Sequence, residues 1–589
     1  MEKRETVDLI VVGAGINGLA CARTYLAINP SARIVILELA ASIGGVWAEE
    51  RLYPSLRLNN LLGTYEYSDF PMDGDAFGVK PGQHIPGDAA HRYLKAYAKE
   101  FGIYSKIRFQ ARVETIEKMN GNINGRWLVT YHKCNGENEG ELQQILTHKL
   151  ILATGSHSEP FMPTFKGAET FDAPLFHSKH MAKEVHAITE AESVAVLGGS
   201  KSGYDAAYLA ASTGVEVNWI INNSGRGAAW MAPTYVTPLR KWLEKLVNTR
   251  FITWFSPCSW GEADGFGGIR RLLHKTFTGR WIVDRFWRIL GNDVLTLNGY
   301  DDHPETKKLK PWTEAFWASS GFSILNYPTN FYDLVRDGKI RVHVADITHL
   351  SPKTVHLVGG GIIKTDVLIS CTGWKAFPAI KFLPEGIDKQ IGLPHKSFDV
   401  NEFALDADTE ILARFPRLQQ QPVVKNPYGG VPRERSHRND HEPFRLYRHM
   451  VPPAFIHDRS IGFAGMITNF SIWLCAQTQA LWLTAYLEGR LRLETSSPTF
   501  EEDLRWDTIF HSQFGKWRYP YGSQQHPDFV FDVLPYVDWI LRDLGLRVHR
   551  KSGWFAEWFE PYGPADYRGL IEEWKESLAQ EGDYPRHGC

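Results

Sequence analysis

The sequence predicts an α/β fold with two Rossmann-like dinucleotide-binding domains. A strand, glycine-rich turn, helix, strand pattern occurs twice, and two apolar strands each end in a small, flexible tripeptide. In the first copy, Asp8 to Val12 is a short, largely aliphatic run, Gly13-Ala14-Gly15-Ile16-Asn17-Gly18 follows directly, and Leu19 to Leu26 has helical character. The next strand, Arg33 to Leu37, ends at Glu38, twenty residues past Gly18, where a carboxylate can accept hydrogen bonds from an adenosine ribose. In the second copy Ser193 to Leu197 reads as the strand, Gly198-Gly199-Ser200-Lys201-Ser202-Gly203 as the turn, Tyr204 to Ser212 as the helix and Val215 to Ile221 as the next strand. A helix that starts on such a turn presents free N–H groups and the positive end of its dipole to a pyrophosphate, and glycine lets the backbone come close.

The second turn carries Ser200 where the middle glycine would stand, with Lys201 beside it. Asn223 replaces the acid twenty residues past Gly203, and Asn222, Ser224 and Arg226 surround it, so nothing local repels a ribose 2′-phosphate. NADPH is expected over NADH, with Arg226 as the phosphate clamp. The bland alternatives are a structural turn inherited from a duplicated fold and a solvent-facing arginine.

The strands Lys149 to Leu152 and Asp366 to Ser370 end in Ala153-Thr154-Gly155 and Cys371-Thr372-Gly373, which read as the two crossings between domains. Residues 1–157 and 361–490 are then a discontinuous first domain, and residues 158–360 the second. A mostly helical insertion covers about 233–326, and 491–589 forms a helical C-terminal tail expected to wrap the surface. Trp230, Trp254, Trp281, Trp287, Trp312 and Trp317 either line a stacked pocket or fill a core, and core packing is the commoner use of tryptophan.

Composition narrows the function classes. A length of 589 residues exceeds what one core usually serves, and 43% hydrophobic with 22% charged residues are ordinary globular values. A net charge of -2 gives no long-range attraction for phosphate backbones, so nucleic acid is not an expected partner. Cys21, Cys134, Cys258, Cys371, Cys475 and Cys589 are too far apart in sequence for a CxxC pair or local zinc knuckle, and no metal is expected. The chain shows no secretory leader and reads as cytoplasmic. The apolar stretch Ile461 to Leu487 contains Asn469, Ser471, Gln477 and Gln479, which favours a buried helix over a membrane span.

Together, Glu38, Gly44-Gly45-Val46-Trp47, Tyr53-Pro54-Ser55-Leu56, Asn59-Asn60, Ser68-Asp69-Phe70-Pro71, the Ala153-Thr154-Gly155 crossing and the second glycine loop resemble the flavin-containing monooxygenase family over about Val7 to Leu487. Leu62-Gly63-Thr64-Tyr65, His84-Ile85-Pro86-Gly87 and Cys371-Thr372-Gly373-Trp374 point to its fungal secondary-metabolism branch. The resemblance implies FAD at Gly13, Gly15, Gly18, Glu38, Gly45, Trp47, Asn59, Thr154 and Gly155. It implies NADPH at Gly198, Ser200, Lys201, Ser202, Gly203 and Arg226, with Thr372 and Gly373 at the return crossing. One oxygen atom of O2 would pass, through a C4a-peroxyflavin, to a hydrophobic small molecule of polyketide or alkaloid type.

The same resemblance makes Asn59 the expected catalytic residue, because heteroatom-oxidising members place an asparagine near the isoalloxazine where Baeyer-Villiger members usually carry an aspartate. The nearest match to the Lys-Arg-Pro turn of Baeyer-Villiger enzymes is Leu309-Lys310-Pro311, which makes Lys310 a second catalytic candidate. Their linker signature is altered at two of its four positions, Phe171, Ala173, His177 and Met181, and His177 reads more readily as a strut than a proton shuttle. A flavin-binding protein that has lost oxygenation, or a flavin oxidase that needs no NADPH, are the alternatives.

Overall fold

The computed structural model describes residues 4–119, 126–134, 140–236, 240–318, 322–396, 401–422, 424, 426–429, 441–491, 493, 495–520 and 526–580. In the first unit, β1 (Glu5–Val12), α1 (Ile16–Ile28), β2 (Ile34–Leu37), β3 (Ile107–Arg108), β4 (Ala111–Lys118), β5 (Trp127–Lys133) and β6 (Leu142–Leu152) follow one another. β1 lies between β2 and β6, parallel to both, with Val12 opposite Leu37 and Leu152. Leu9 to Val12 are buried on both faces, which a continuous aliphatic run allows and an alternating pattern would not.

The second unit contains β7 (Leu175–His177), β8 (Ser193–Leu197), α2 (Lys201–Ser212), β9 (Glu216–Ile221), β10 (Ile340–Val344) and β11 (Val367–Ser370). Its sheet runs β10-β9-β8-β11-β7. Every pair in it is parallel. The chain then returns to the first sheet, where β12 (Lys381–Leu383) pairs with β4 and β13 (Ile461–Phe463) pairs with β6. Because β11 pairs with β8, the return crossing falls at Cys371 to Lys375, later than position 361. The two crossings run side by side: Phe161 N–H donates to Gly373 O at 3.0 Å and Lys375 N–H to Glu159 O at 2.9 Å.

Between β9 and β10 lies the insertion, whose longest helix is α3 (Phe277–Asn298). It is anchored by a short parallel pair, Trp230–Ala232 with Phe322–Ile324. Trp230, Trp254, Trp287 and Trp317 are buried in the insertion's hydrophobic core, Trp312 is buried against Gly227, and Trp281 is 63% exposed.

The stretch Ile461 to Leu487 divides into β13 and α4 (Ile472–Leu487). α4 packs against α1 and buries almost every side chain. Among the described residues no helix is long and apolar enough to cross a membrane.

The C-terminal segment departs from expectation. α5 (Phe500–Arg518) and α6 (Val533–Asp543) do not wrap the surface; Val533, Leu534, Tyr536, Val537, Ile540 and Leu541 are fully buried, and α6 lies against α4. Ion pairs weld this segment to the insertion. Arg250 of the insertion, wholly buried, meets Asp538 at 2.5 Å and Glu557 at 2.6 Å; within the insertion itself, Arg270 meets Asp264 at 2.6 Å. These charges are buried because each has a partner, which no local sequence pattern reveals.

Candidate functional site

The two glycine turns repeat one geometry. At Gly13, φ is +109° and a Cβ would fall 2.4 Å from Ala153 O; a Cβ on Gly18 would fall 1.9 Å from Gly13 O. At Gly198, φ is +120° and a Cβ would fall 2.3 Å from Cys371 O; a Cβ on Gly203 would fall 2.1 Å from Gly198 O. Each turn is thus pressed against the strand that leads to a crossing, and its helix against the turn. Only glycine satisfies both contacts. The middle position differs: Gly15 has φ −82° and ψ −173°, Ser200 has φ −83° and ψ 174°, and any residue adopts this backbone. Ser200 therefore fits without strain, its side chain exposed. Neither α1 nor α2 has an acid in its first turn, so both dipole ends are left to an anion.

Around the first turn, Glu38 is buried. Its carboxylate accepts from Ala14 N–H at 2.6 Å and Ala40 N–H at 2.8 Å. Burial pushes this carboxyl up from the usual carboxylate range, and the Ala40 and Ala14 amides hold it down. Gly45 packs on Gly15, where a Cβ on Gly15 would meet Gly45 Cα at 3.6 Å. Trp47 follows and donates its indole N–H to Tyr65 OH at 3.0 Å. Thr154 Oγ1 and Asn17 Oδ1 are buried beside this turn without a hydrogen-bond partner among the described residues, as are both amide atoms of Asn469. A cradle only glycine can form, an uncompensated helix end and orphaned polar atoms fit a large polar ligand such as a dinucleotide. Gly155 follows with φ +70° as the chain leaves for the second unit.

Around the second turn the side chains are placed less simply. The Lys201 ammonium does not stand free for a phosphate. It pairs with Asp205 and donates to Asn326 Oδ1 at 3.0 Å and Tyr327 OH at 3.1 Å. Asn326 in turn donates to Arg57 O at 2.8 Å, so Lys201 joins the second turn to the segment that carries Asn59. Ser202 lies in the first turn of α2, half-buried. Arg226 is exposed on the loop after β9. That loop does hold an acid, brought from a remote segment: Asp346 accepts from Ser224 Oγ at 2.9 Å and from Ser224 N–H at 3.3 Å. Thr372 donates to Phe161 O at 2.6 Å, and Gly373 O accepts from His177 Nε2 at 2.9 Å. His177 Nδ1 accepts from Lys179 N–H at 3.1 Å, so both ring nitrogens are used. Burial first, then neighbouring cations, drive His177 down to about 4, against the pull of Gly373 O. His177 is a neutral strut between β7 and the return crossing.

Asn59 sits half-buried on the strand Arg57–Leu61. The insertion grips this strand along its length. Asn59 Nδ2 donates to Ser323 Oγ at 3.2 Å, and Asn60 Nδ2 to Glu244 Oε1. His84, on the paired strand His84–Pro86, meets Thr234 Oγ1 at 2.8 Å. Lys310 is not part of this group: it forms an ion pair with the exposed Asp301 at 2.6 Å. Glu244, Ser323 and Asn326 escape sequence reasoning because they lie in the insertion, far from every glycine motif. Among the described residues no cluster of His, Cys, Asp and Glu could hold a metal ion.

Comparison with known proteins identifies the family and the fold. The family described as flavin-binding monooxygenase-like matches residues 6–256. The chain is similar to the FAD-dependent monooxygenase resA of Aspergillus sclerotiorum, at 32% identity over 96% of this chain and 98% of that protein. It is likewise similar to the FAD-dependent monooxygenase DEP4 of Alternaria brassicicola, at 32% identity over 97% and 95%. Among solved structures, cyclohexanone monooxygenase from Rhodococcus sp. Phi1 bound to NADP+ shares the fold, with a TM-score of 0.58 at 14% identity over 98% of each chain.

Proposed function

Because the chain belongs to the flavin-binding monooxygenase-like family, we propose that it binds FAD in the first cradle and NADPH in the second, and transfers one oxygen atom from O2 to a hydrophobic small molecule. The observation that carries this reading is the duplicated turn, with the Lys201–Asn326–Arg57 chain of hydrogen bonds tying the second turn to the Asn59 strand. Gly13, Gly15 and Gly18 admit the FAD pyrophosphate, and Glu38 and Thr154 supply an acceptor and an orphaned hydroxyl beside it. Bound FAD supplies a redox centre that takes two electrons from NADPH and activates dioxygen. Asn59 offers an amide that donates and accepts, held by Ser323 so that little reorganisation is needed when a ligand arrives. The pairing of Lys310 with Asp301 supports heteroatom oxidation over Baeyer-Villiger insertion, since no planar guanidinium stands in the Leu309-Lys310-Pro311 turn.

One observation favours a second reading. Asp346 at the Ser224 loop opposes a 2′-phosphate, as a flavin oxidase that does not use NADPH would tolerate. The deciding experiment supplies FAD-loaded protein with NADPH, isotopically labelled dioxygen and a panel of apolar amines, thioethers and ketones. One labelled oxygen in the product, with NADPH consumed in proportion, supports the monooxygenase. Peroxide formation without NADPH consumption supports the oxidase.

A further inference from the structure

Glu244 has no role in the reading above and is the most unusual titratable group near the Asn59 strand. It lies on the short helix Leu243–Val247 of the insertion and is 2% exposed. Among the described residues it makes no ion pair. Its Oε1 accepts from Asn60 Nδ2, and its Oε2 lies 2.8 Å from Thr64 Oγ1. Thr64 Oγ1 is also 3.0 Å from Leu61 O, an acceptor only. A hydroxyl has one proton to give. Given to Oε2, at the shorter distance, that proton holds the carboxyl in either form; given to Leu61 O, it requires a proton on Glu244 for the contact with Oε2, and burial without an ion pair among the described residues favours that acid form.

We propose that Glu244 is a positioning residue that clamps the helical insertion onto the strand carrying Asn59. Asn60 and Thr64 are its two grips, and Ser323 of the same insertion holds the adjacent Asn59. The importance of Asn59 rests on the functional reading above; the clamp itself does not.

Among the charged and titratable groups around Glu244, Lys245 favours the carboxylate from a distance, without an ion pair among the described residues. The Lys245 ammonium lies over the Trp242 ring at 4.6 Å, and the Lys241 side chain is exposed. Tyr65 is a buried phenol bonded to Trp47, and Arg250 is matched by Asp538, Glu557 and Asp264. His84 is engaged with Thr234 and held low, mainly by burial. Burial raises Glu244 to about 7, against the hydrogen bonds from Thr64, Asn60 and the Leu61 backbone and the charge of Lys245.

The test compares wild type with Glu244→Gln and Glu244→Ala, each with and without FAD. Amide hydrogen exchange over residues 57–64 is the first readout, and the fraction of NADPH electrons released as hydrogen peroxide is the second. Glu244→Ala should exchange about tenfold faster across 57–64 and release several-fold more peroxide, whereas Glu244→Gln, which can accept from Asn60 and donate to Thr64, should match wild type. If Glu244→Ala does not fold, the wild type and Glu244→Gln suffice. Protection of 57–64, corrected for intrinsic exchange, should weaken above pH about 7 in the wild type alone. Unchanged exchange in Glu244→Ala, a Gln variant that behaves like Ala, or identical pH profiles would overturn the clamp. A wild type that neither binds FAD nor oxidises NADPH refutes the functional reading instead, while exchange in the apo-protein still decides the clamp.

Discussion

Adding one methyl group at two glycines of the same turn should separate fold from ligand. A Cβ on Gly18 would lie 1.9 Å from Gly13 O, more than 1 Å inside van der Waals contact, and the obstacle is backbone. The start of α1 must move away from β1, and overpacking of this kind costs about 1–3 kcal/mol. A Cβ on Gly15 would find nothing nearer than Gly45 Cα at 3.6 Å, at a φ of −82° that alanine adopts freely. Gly15→Ala should therefore leave the apo-protein as stable as wild type. Its methyl group would stand where the backbone must approach a pyrophosphate, and losing that approach by one contact weakens FAD by about tenfold, or 1.4 kcal/mol. Gly18→Ala should lower both the melting temperature of the apo-protein and its affinity for FAD. The assay is thermal unfolding of the apo-proteins followed by titration with FAD, read by quenching of flavin fluorescence. Equal melting losses in the two variants, or unchanged FAD affinity in Gly15→Ala, would refute the assignment of the first turn as the FAD cradle.

Other perturbations follow from the same contacts. Glu244 titrates near 4.5 unfolded and near about 7 folded, so the fold holds the extra proton in that window. Stability should fall by up to about 3 kcal/mol as pH rises through it, and Glu244→Gln should flatten that slope in urea titrations. Arg250→Met leaves Asp538 and Glu557 buried without their cation, while Asp264 keeps Arg270, and should cost about 3–5 kcal/mol, read by tryptophan fluorescence on urea unfolding. Arg226→Ala should raise KM for NADPH about tenfold and leave KM for NADH unchanged, since only the former carries a 2′-phosphate. Asn59→Leu should retain FAD, judged by gel filtration and absorbance, and divert several-fold more NADPH electrons to peroxide.

What could be read from the sequence is local. The turns at Gly13 and Gly198 are legible because strand, turn and helix are consecutive, and the backbone itself requires glycine where it meets Ala153 and Cys371. Ser200 was legible only as an anomaly; its backbone angles explain why the fold tolerates it. The insertion and the C-terminal segment are legible as helical, yet their burial is not, because Arg250 and Asp538 are 288 residues apart and become compatible with a core only together. Lys201 shows the same limit. Its neighbours in sequence suggest a phosphate, while its ammonium is held by Asp205 on its own helix and by Asn326 and Tyr327 from a distant strand end. Asp346 reaches the Ser224 loop from the segment after β10, which local reading of the Asn222 to Arg226 loop could not show.

The most direct trial of the two-cradle account is anaerobic addition of NADPH to protein loaded with one equivalent of FAD, watching the visible absorption of the flavin. The account predicts that the yellow band is present and is bleached by one equivalent of NADPH. Protein that takes up no flavin, or whose bound flavin keeps its colour in excess NADPH, would contradict it.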